Sequence, residues 1–197
     1  MFCRDKPAQD VQKVILIYTN DDYAGRQSAN APKSPSVDLL DHCPNTYSGT
    51  FSGSYTYPGG GTLNWNGSVT FSSPGAALAG QSVAVTSGSV AWSVSGTDQS
   101  GCTWSGGSGF ALTNKDGVIY VYPNGTYLID VAATGTDPPA NSQQTVTIDC
   151  QGATSTVTEA FTNWLDSGVP QTPTGSLLRG SYSLAGMSWS WDLNAGG

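Results

Sequence analysis

The stretch that decides the fold is Thr46 to Ser72, TYSGTFSGSYTYPGGGTLNWNGSVTFS. Its even positions as far as Thr56 are Thr46, Ser48, Thr50, Ser52, Ser54 and Thr56, whereas the odd ones are Tyr47, Gly49, Phe51, Gly53, Tyr55 and Tyr57. Beyond Pro58-Gly59-Gly60-Gly61 the alternation resumes. Leu63, Trp65, Gly67, Val69 and Phe71 share one face, and Thr62, Asn64, Asn66, Ser68, Thr70 and Ser72 share the other. A period of two sustained on both sides of a glycine turn predicts an antiparallel hairpin with one face packed and one wet. The wet face carries hydroxyls and amides and no charge. That is the surface of a secreted β-scaffold, and it names no reaction.

Working outward, the same alternation predicts strands near 46–57, 61–72, 81–95, 101–113, 117–122, 125–133, 143–151, 154–164, 176–184 and 187–194. Asp116-Gly117, Asn124-Gly125, Gly152 and Gly186 mark tight turns. Pro138-Pro139 and the Pro170 to Pro173 segment mark loops that no central strand tolerates. The short connections imply a meander. The fold class is therefore all-β, an antiparallel meander of about ten strands forming a β-sandwich or a closed β-barrel, with an N-terminal arm. The last hairpin, GSYSL-AG-MSWSWDL at 180–193, echoes the first. Similar hairpins at both ends predict that the end strands pair and close the sheet. Trp65, Trp92, Trp189 and Trp191 fall on apolar faces and are expected in the core, with Ser188 and Ser190 wet.

Residues 1–45 read differently from the β-domain at 46–197. They hold five of the seven basic residues, Arg4, Lys6, Lys13, Arg26 and Lys33, and the single histidine, His42. Within this arm Val14-Ile15-Leu16-Ile17-Tyr18 reads as one apolar strand, followed by a Pro/Ser/Asn-rich connection. It is expected to fold back on its own sheet, the alternative being donation to the edge of a neighbouring molecule. Its charged start, MFCRDKPAQD, lacks the apolar run of an export signal. No stretch approaches the roughly 20 apolar residues of a transmembrane helix.

Composition narrows the function classes. Only 11% of the 197 residues are charged and the net charge is −7, against roughly 25% charged in an average soluble domain. From position 34 onward Lys115 and Arg179 face ten acids. Such a surface repels phosphate backbones, so nucleic acid is excluded as a partner. The four cysteines, Cys3, Cys43, Cys102 and Cys150, form no CxxC pair and no zinc constellation. An even count in a Ser/Thr-rich β-chain predicts two disulfides and an oxidising, secreted or cell-surface location. Chain order favours Cys3–Cys43 and Cys102–Cys150.

Catalytic signals are sparse. A triad needs a base, and His42 sits in an arm loop. Glycoside hydrolysis needs paired carboxylates, and the strand-borne ones are Asp130, Asp149, Glu159 and Asp192. Glu159, the only glutamate, shares a face with Val157 and Phe161, which would raise its pKa if that face were core. Asn20-Asp21-Asp22 offers at most half a calcium shell. Asn66-Gly67-Ser68 and Asn124-Gly125-Thr126 match glycosylation sequons. No cofactor is expected. Trp104, Tyr120, Tyr122 and Trp164, less surely buried than the other aromatics, are candidate ligand-binding platforms. The leading expectation is a non-catalytic extracellular or cell-surface β-domain in adhesion, surface structure or filament assembly, with a protein partner, self-assembly or a glycan as its counterpart. A carbohydrate-binding or glycan-active domain is the alternative, and a β-pore former a third.

Overall fold

In the computed structural model, residues 44–75, 80–131, 142–161 and 165–196 are described. Within them the chain forms eleven strands and no helix: β1 Thr46–Thr56, β2 Thr62–Ser72, β3 Ser82–Thr97, β4 Thr103–Leu112, β5 Gly117–Val121, β6 Tyr127–Val131, β7 Gln143–Cys150, β8 Ala153–Ala160, β9 Leu165–Asp166, β10 Leu177–Leu184 and β11 Met187–Gly196. All pairings between them are antiparallel, and the main path runs β10-β11-β1-β2-β3-β4-β7-β8. The end strands do pair, as the echoing hairpins predict: Phe51 lies opposite Trp191 and Gly53 opposite Trp189 in the β1–β11 ladder. The sheet is nevertheless not closed. β10 and β8 end the path without pairing to one another, so the expected barrel is corrected to an open sheet. Pairing of the chain ends places β1 and β11 in the middle of the sheet rather than at a seam.

The sheet forks at β3. This strand is 16 residues long, and its edge opposite β2 is shared: Gly88 to Thr97 pair with β4, whereas Ser82 to Ala84 pair with β5. Between β4 and β5 the chain turns at Thr113–Asp116. There the buried Asp116 carboxylate accepts bonds from the Thr113 backbone N–H and, at 2.7 Å, from the Thr113 hydroxyl. This corner sends β5, β6 and β9 out of the main path. The Trp191 Nε1–H donates to the Tyr127 hydroxyl at 2.9 Å, and the Trp189 Nε1–H donates to the Asp166 carbonyl at 3.0 Å. The branch is thus bonded across the apolar face of β11. Burial pushes the Tyr127 phenol up, partly offset by the Trp191 bond, and pushes Tyr47 up to about 12.

One core cluster joins Tyr47, Phe51, Phe71, Trp191 and Leu193 of the main path with Ile119, Tyr127, Ile129 and Leu165 of the branch. Phe161 covers the adjoining part, its ring centroid 5.9 Å from Trp65, 6.0 Å from Trp92 and 5.7 Å from Phe110. The four tryptophans expected inside are buried. Several of these rings have a glycine opposite them on one neighbouring strand, which leaves room for the ring. Gly53 lies between Trp65 and Trp189 in the ladder. A Cβ there would stand 2.5 Å from Trp65 Cζ2 and 2.6 Å from Trp189 Cβ. Gly180 likewise lies beneath the Trp191 ring, whose Cε2 would be 2.9 Å from an added Cβ.

Expected strand bounds agree to within a few residues. β9 leaves no trace in the sequence, because two residues are too short to show a period, and the strand expected over 154–164 ends at Ala160. The turns Gln151-Gly152 and Ala185-Gly186 have positive φ at both residues, 55° and 89°, 48° and 88°, the type I′ geometry of two-residue hairpins. Cys102 and Cys150 are disulfide-bonded, joining the start of β4 to the end of β7. A closed loop of this size is worth roughly 4 kcal/mol by chain entropy. Asp98 shapes the approach to Cys102, its Oδ1 accepting from the backbone N–H of Ser100 and Cys102 and from the Ser100 hydroxyl. These bonds hold its carboxyl below the usual range. Residues 1–43 of the N-terminal arm, including His42, Cys3 and Cys43, lie outside the described residues.

Gly53→Ala is expected to cost about 2–3 kcal/mol in urea unfolding, the upper part of the range for overpacking a tight core. Gly59→Ala, whose added Cβ meets nothing within 4 Å, should change stability by less than about 0.5 kcal/mol.

Candidate functional site: a polar basin on the outer sheet face

Pleating sends alternate side chains of the main sheet away from the core, and register aligns them into rows. One row runs Arg179, Asp192, Thr50, Ser68 across β10, β11, β1 and β2; the next runs Ser181, Ser190, Ser52, Asn66. Serines between longer side chains leave a depression of about 470 Å³, lined among others by Arg179, Asp192, Thr50, Ser52, Ser190 and Asn66. That volume suits a small ligand of one or two sugar-sized rings. Its floor is backbone, because Phe51 and Trp191 send their rings to the other side.

The electrostatics are local. Arg179 Nη2 donates to Asp192 Oδ2 at 2.5 Å, with side-chain exposures of 60% and 44%. The bond and the carboxylate's charge raise the guanidinium pKa further. Being exposed, this pair adds little to stability. The other carboxylate oxygen, Asp192 Oδ1, is shielded from solvent and has no hydrogen-bond partner. A shielded acceptor without a donor is costly. The residues lining the depression offer hydroxyls that both donate and accept, an amide, and the remaining guanidinium N–H donors. This is a complementary set for a neutral polyhydroxyl ligand, whose O–H groups donate to the carboxylate while accepting from Arg and Asn.

The residues singled out from sequence do not converge on this basin. Trp104 is half-buried, with Gly61 and Gly96 beneath its ring. It meets Tyr57 edge-on at 5.4 Å, and Tyr57 meets Tyr55 edge-on at 4.9 Å. Glu159 is exposed rather than in the core face, so its environment is water. It lies near this cluster: burial first, then the charge of Glu159, raises the Tyr57 phenol pKa. The rings turn their edges to one another and build no flat stacking row. Tyr120, 49% exposed, and the half-buried Tyr122 lie on and just after β5, away from Trp104. Trp164 and Asn20-Asp21-Asp22 fall outside the described residues. Among the described residues no group of three or more His, Cys, Asp or Glu side chains could hold a metal ion. Asp149 is exposed and caps the Gln151-Gly152 turn through the Gly152 N–H.

Sequence reading names Asp192 as a strand-borne carboxylate but misses its partner. The signal is present, since Arg179 is the only basic residue after Lys115 and faces Asp192 once the 180–193 hairpin is registered. It also misses a carboxylate pair. Asp130 on β6 lies opposite Asp166 on β9, on the side of the branch away from the core. Burial, with the neighbouring Asp166 charge added, pushes the Asp130 carboxyl up to about 7, and its Oδ1 is shielded without a hydrogen-bond partner.

No protein-family model matches this chain, and no match is found among curated proteins or solved structures.

The Asp130 shift fixes a sign. With its folded pKa raised from 3.8 to about 7, the native state keeps a proton that the unfolded chain has released between those values. Stability is therefore greatest below the lower value and falls as pH rises toward the upper one. Wild-type protein should lose roughly 2–3 kcal/mol between pH 5 and pH 8 in urea unfolding, at about 1.4 kcal/mol per pKa unit traversed. Asp130→Asn should flatten most of that slope.

Proposed function

We propose that this chain is a non-catalytic, secreted or cell-surface β-domain of the adhesion type, and that its ligand is a neutral saccharide held in the Arg179–Asp192 basin. The observation that carries the reading is the Arg179–Asp192 pair, half-exposed at the wall of a depression whose other lining residues include Thr50, Ser52, Asn66 and Ser190. Neutrality follows from charge. The one cation of the basin is already paired with Asp192, and a net charge of −7 disfavours anionic ligands.

In this reading the branch β5–β6–β9 is the second layer of a sandwich, and the outer face of the first layer is the working surface. Recognition runs through hydrogen bonds and not ring stacking, because Phe51 and Trp191, the aromatic residues at the basin, are buried. A hydrolytic role has less support. The carboxylate pair Asp130 and Asp166 sits on the branch, whereas the basin holds a single carboxylate. The pore-forming alternative fits poorly, since a lipid-facing wall needs an apolar outer face and here that face is Ser, Thr and Asn.

Asp192→Asn keeps the shape and deletes the acceptor charge. Binding of neutral hexoses and N-acetylhexosamines, followed by calorimetry or by amide shifts of Thr50, Ser52 and Ser190, should weaken at least tenfold, about 1.4 kcal/mol, with unfolding within about 0.5 kcal/mol of wild type. Absence of any neutral-sugar binding, or binding untouched by Asp192→Asn, would refute the proposal.

A further inference from the structure

The two outer strands of the main path are not alike. β10 is shielded at its start, where Thr174 and Leu177 exchange backbone bonds. It also carries Arg179, a charge of the kind that protects edges. β8, Ala153-Thr154-Ser155-Thr156-Val157-Thr158-Glu159-Ala160, has none of these devices. Among the described residues it pairs only with β7. Every residue from Ala153 to Glu159 is exposed. It contains no Lys, Arg, Pro or Gly, and Thr154, Thr156, Val157 and Thr158 are β-branched. Such a strand offers its backbone to another strand.

Its hydrogen-bonding phase follows from the turn. A two-residue type I′ hairpin at Gln151-Gly152 makes Cys150 and Ala153 a hydrogen-bonded pair, and bonding alternates from there. Ser155 and Val157 therefore bond to β7, and Thr154, Thr156 and Thr158 point their N–H and C=O groups outward. We propose that β8 pairs with β8 of a second copy of this chain, antiparallel, with the two-fold axis at Thr156. That axis places Thr156 against its own counterpart and Thr154 against Thr158 of the second copy, each pair exchanging both backbone bonds. A two-fold contact must be self-complementary, and this one is. The outward threonines form a continuous row on one face, Ser155 meets Val157 on the other, and Glu159, the only charge on β8, falls opposite Ala153 and not opposite its own copy. The main sheet then continues without interruption through both chains.

The second copy is favoured over an unrelated peptide because the register that satisfies the outward backbone groups is also the one that separates the two glutamates. Ultracentrifugation of the full chain should show a species of twice the 20.4 kDa chain mass that grows with concentration. Thr156→Pro removes an outward N–H while sparing the β7 ladder, and Thr156→Lys sets like charges face to face; both should be monomeric with wild-type circular dichroism. Register is read by oxidation. Thr156→Cys should form a covalent dimer, since narrow antiparallel pairs lie about 5.5 Å apart, within disulfide reach. Thr154→Cys should not cross-link to itself, because its copy lies four residues away, about 13 Å. A monomer at all concentrations, a dimer that survives both Thr156 variants, or cross-linking of Thr154→Cys as readily as Thr156→Cys would overturn the proposal.

Discussion

The contact on which this structure depends is an aromatic ring lying over a glycine of the neighbouring strand. The Trp65 ring lies over Gly53, and the Trp191 ring covers Gly180. The core mixes such rings with buried Val, Ile and Leu side chains, and Trp65 and Trp191 each have a glycine opposite them on one neighbouring strand. Register matters to this arrangement, because a slip of one residue would move every ring to the wet face and a slip of two would take the glycines from beneath the rings. It also explains how the echoing first and last hairpins come to pair: Gly53 on β1 needs Trp189 on β11, and Gly180 on β10 needs Trp191.

Concentrating the apolar surface in rings has a consequence on the other side. Alternation leaves the outer face to Ser, Thr and Asn, and with so few charged residues to place, that face is close to neutral. Among the described residues a single ion pair, Arg179 with Asp192, therefore stands out on it. In a charge-rich surface the same pair would be one of many, screened and of little consequence. Here it places a guanidinium and a carboxylate at the wall of a shallow depression lined by hydroxyl groups. Folding and the proposed recognition are thus two faces of one pleated pattern.

Much of the fold is legible in the sequence, and the parts that are not have physical reasons. The period-two pattern places the strands and puts Trp65, Trp92, Trp189 and Trp191 inside, because burial of one face leaves a direct trace in composition. Whether the sheet closes is not legible. Alternation reads the same whether a sheet closes or opens, and the fork depends on a corner at Asp116 whose role emerges only once β4 and β5 are seen to share an edge of β3. The basin is half legible: the hydroxyl face is evident, but Arg179 and Asp192 meet only through the register of β10 and β11. Asp166 escapes notice because β9 is too short to carry a pattern. Trp104 and Glu159 stand out for being unlike their neighbours, and they cluster with Tyr57, but edge-on rings do not make a platform.

The ring-over-glycine contact can be isolated at Gly180, where the three atoms that would most crowd an added Cβ all belong to Trp191. The decisive measurement is a double-mutant cycle of Gly180→Ala and Trp191→Phe by urea unfolding. The smaller ring withdraws the part of the indole that overlies the glycine. If the contact governs packing, Gly180→Ala should cost about 2 kcal/mol in the wild-type background and at least about 1 kcal/mol less in the Trp191→Phe background, a coupling well outside additivity. Additive costs within about 0.3 kcal/mol would contradict it.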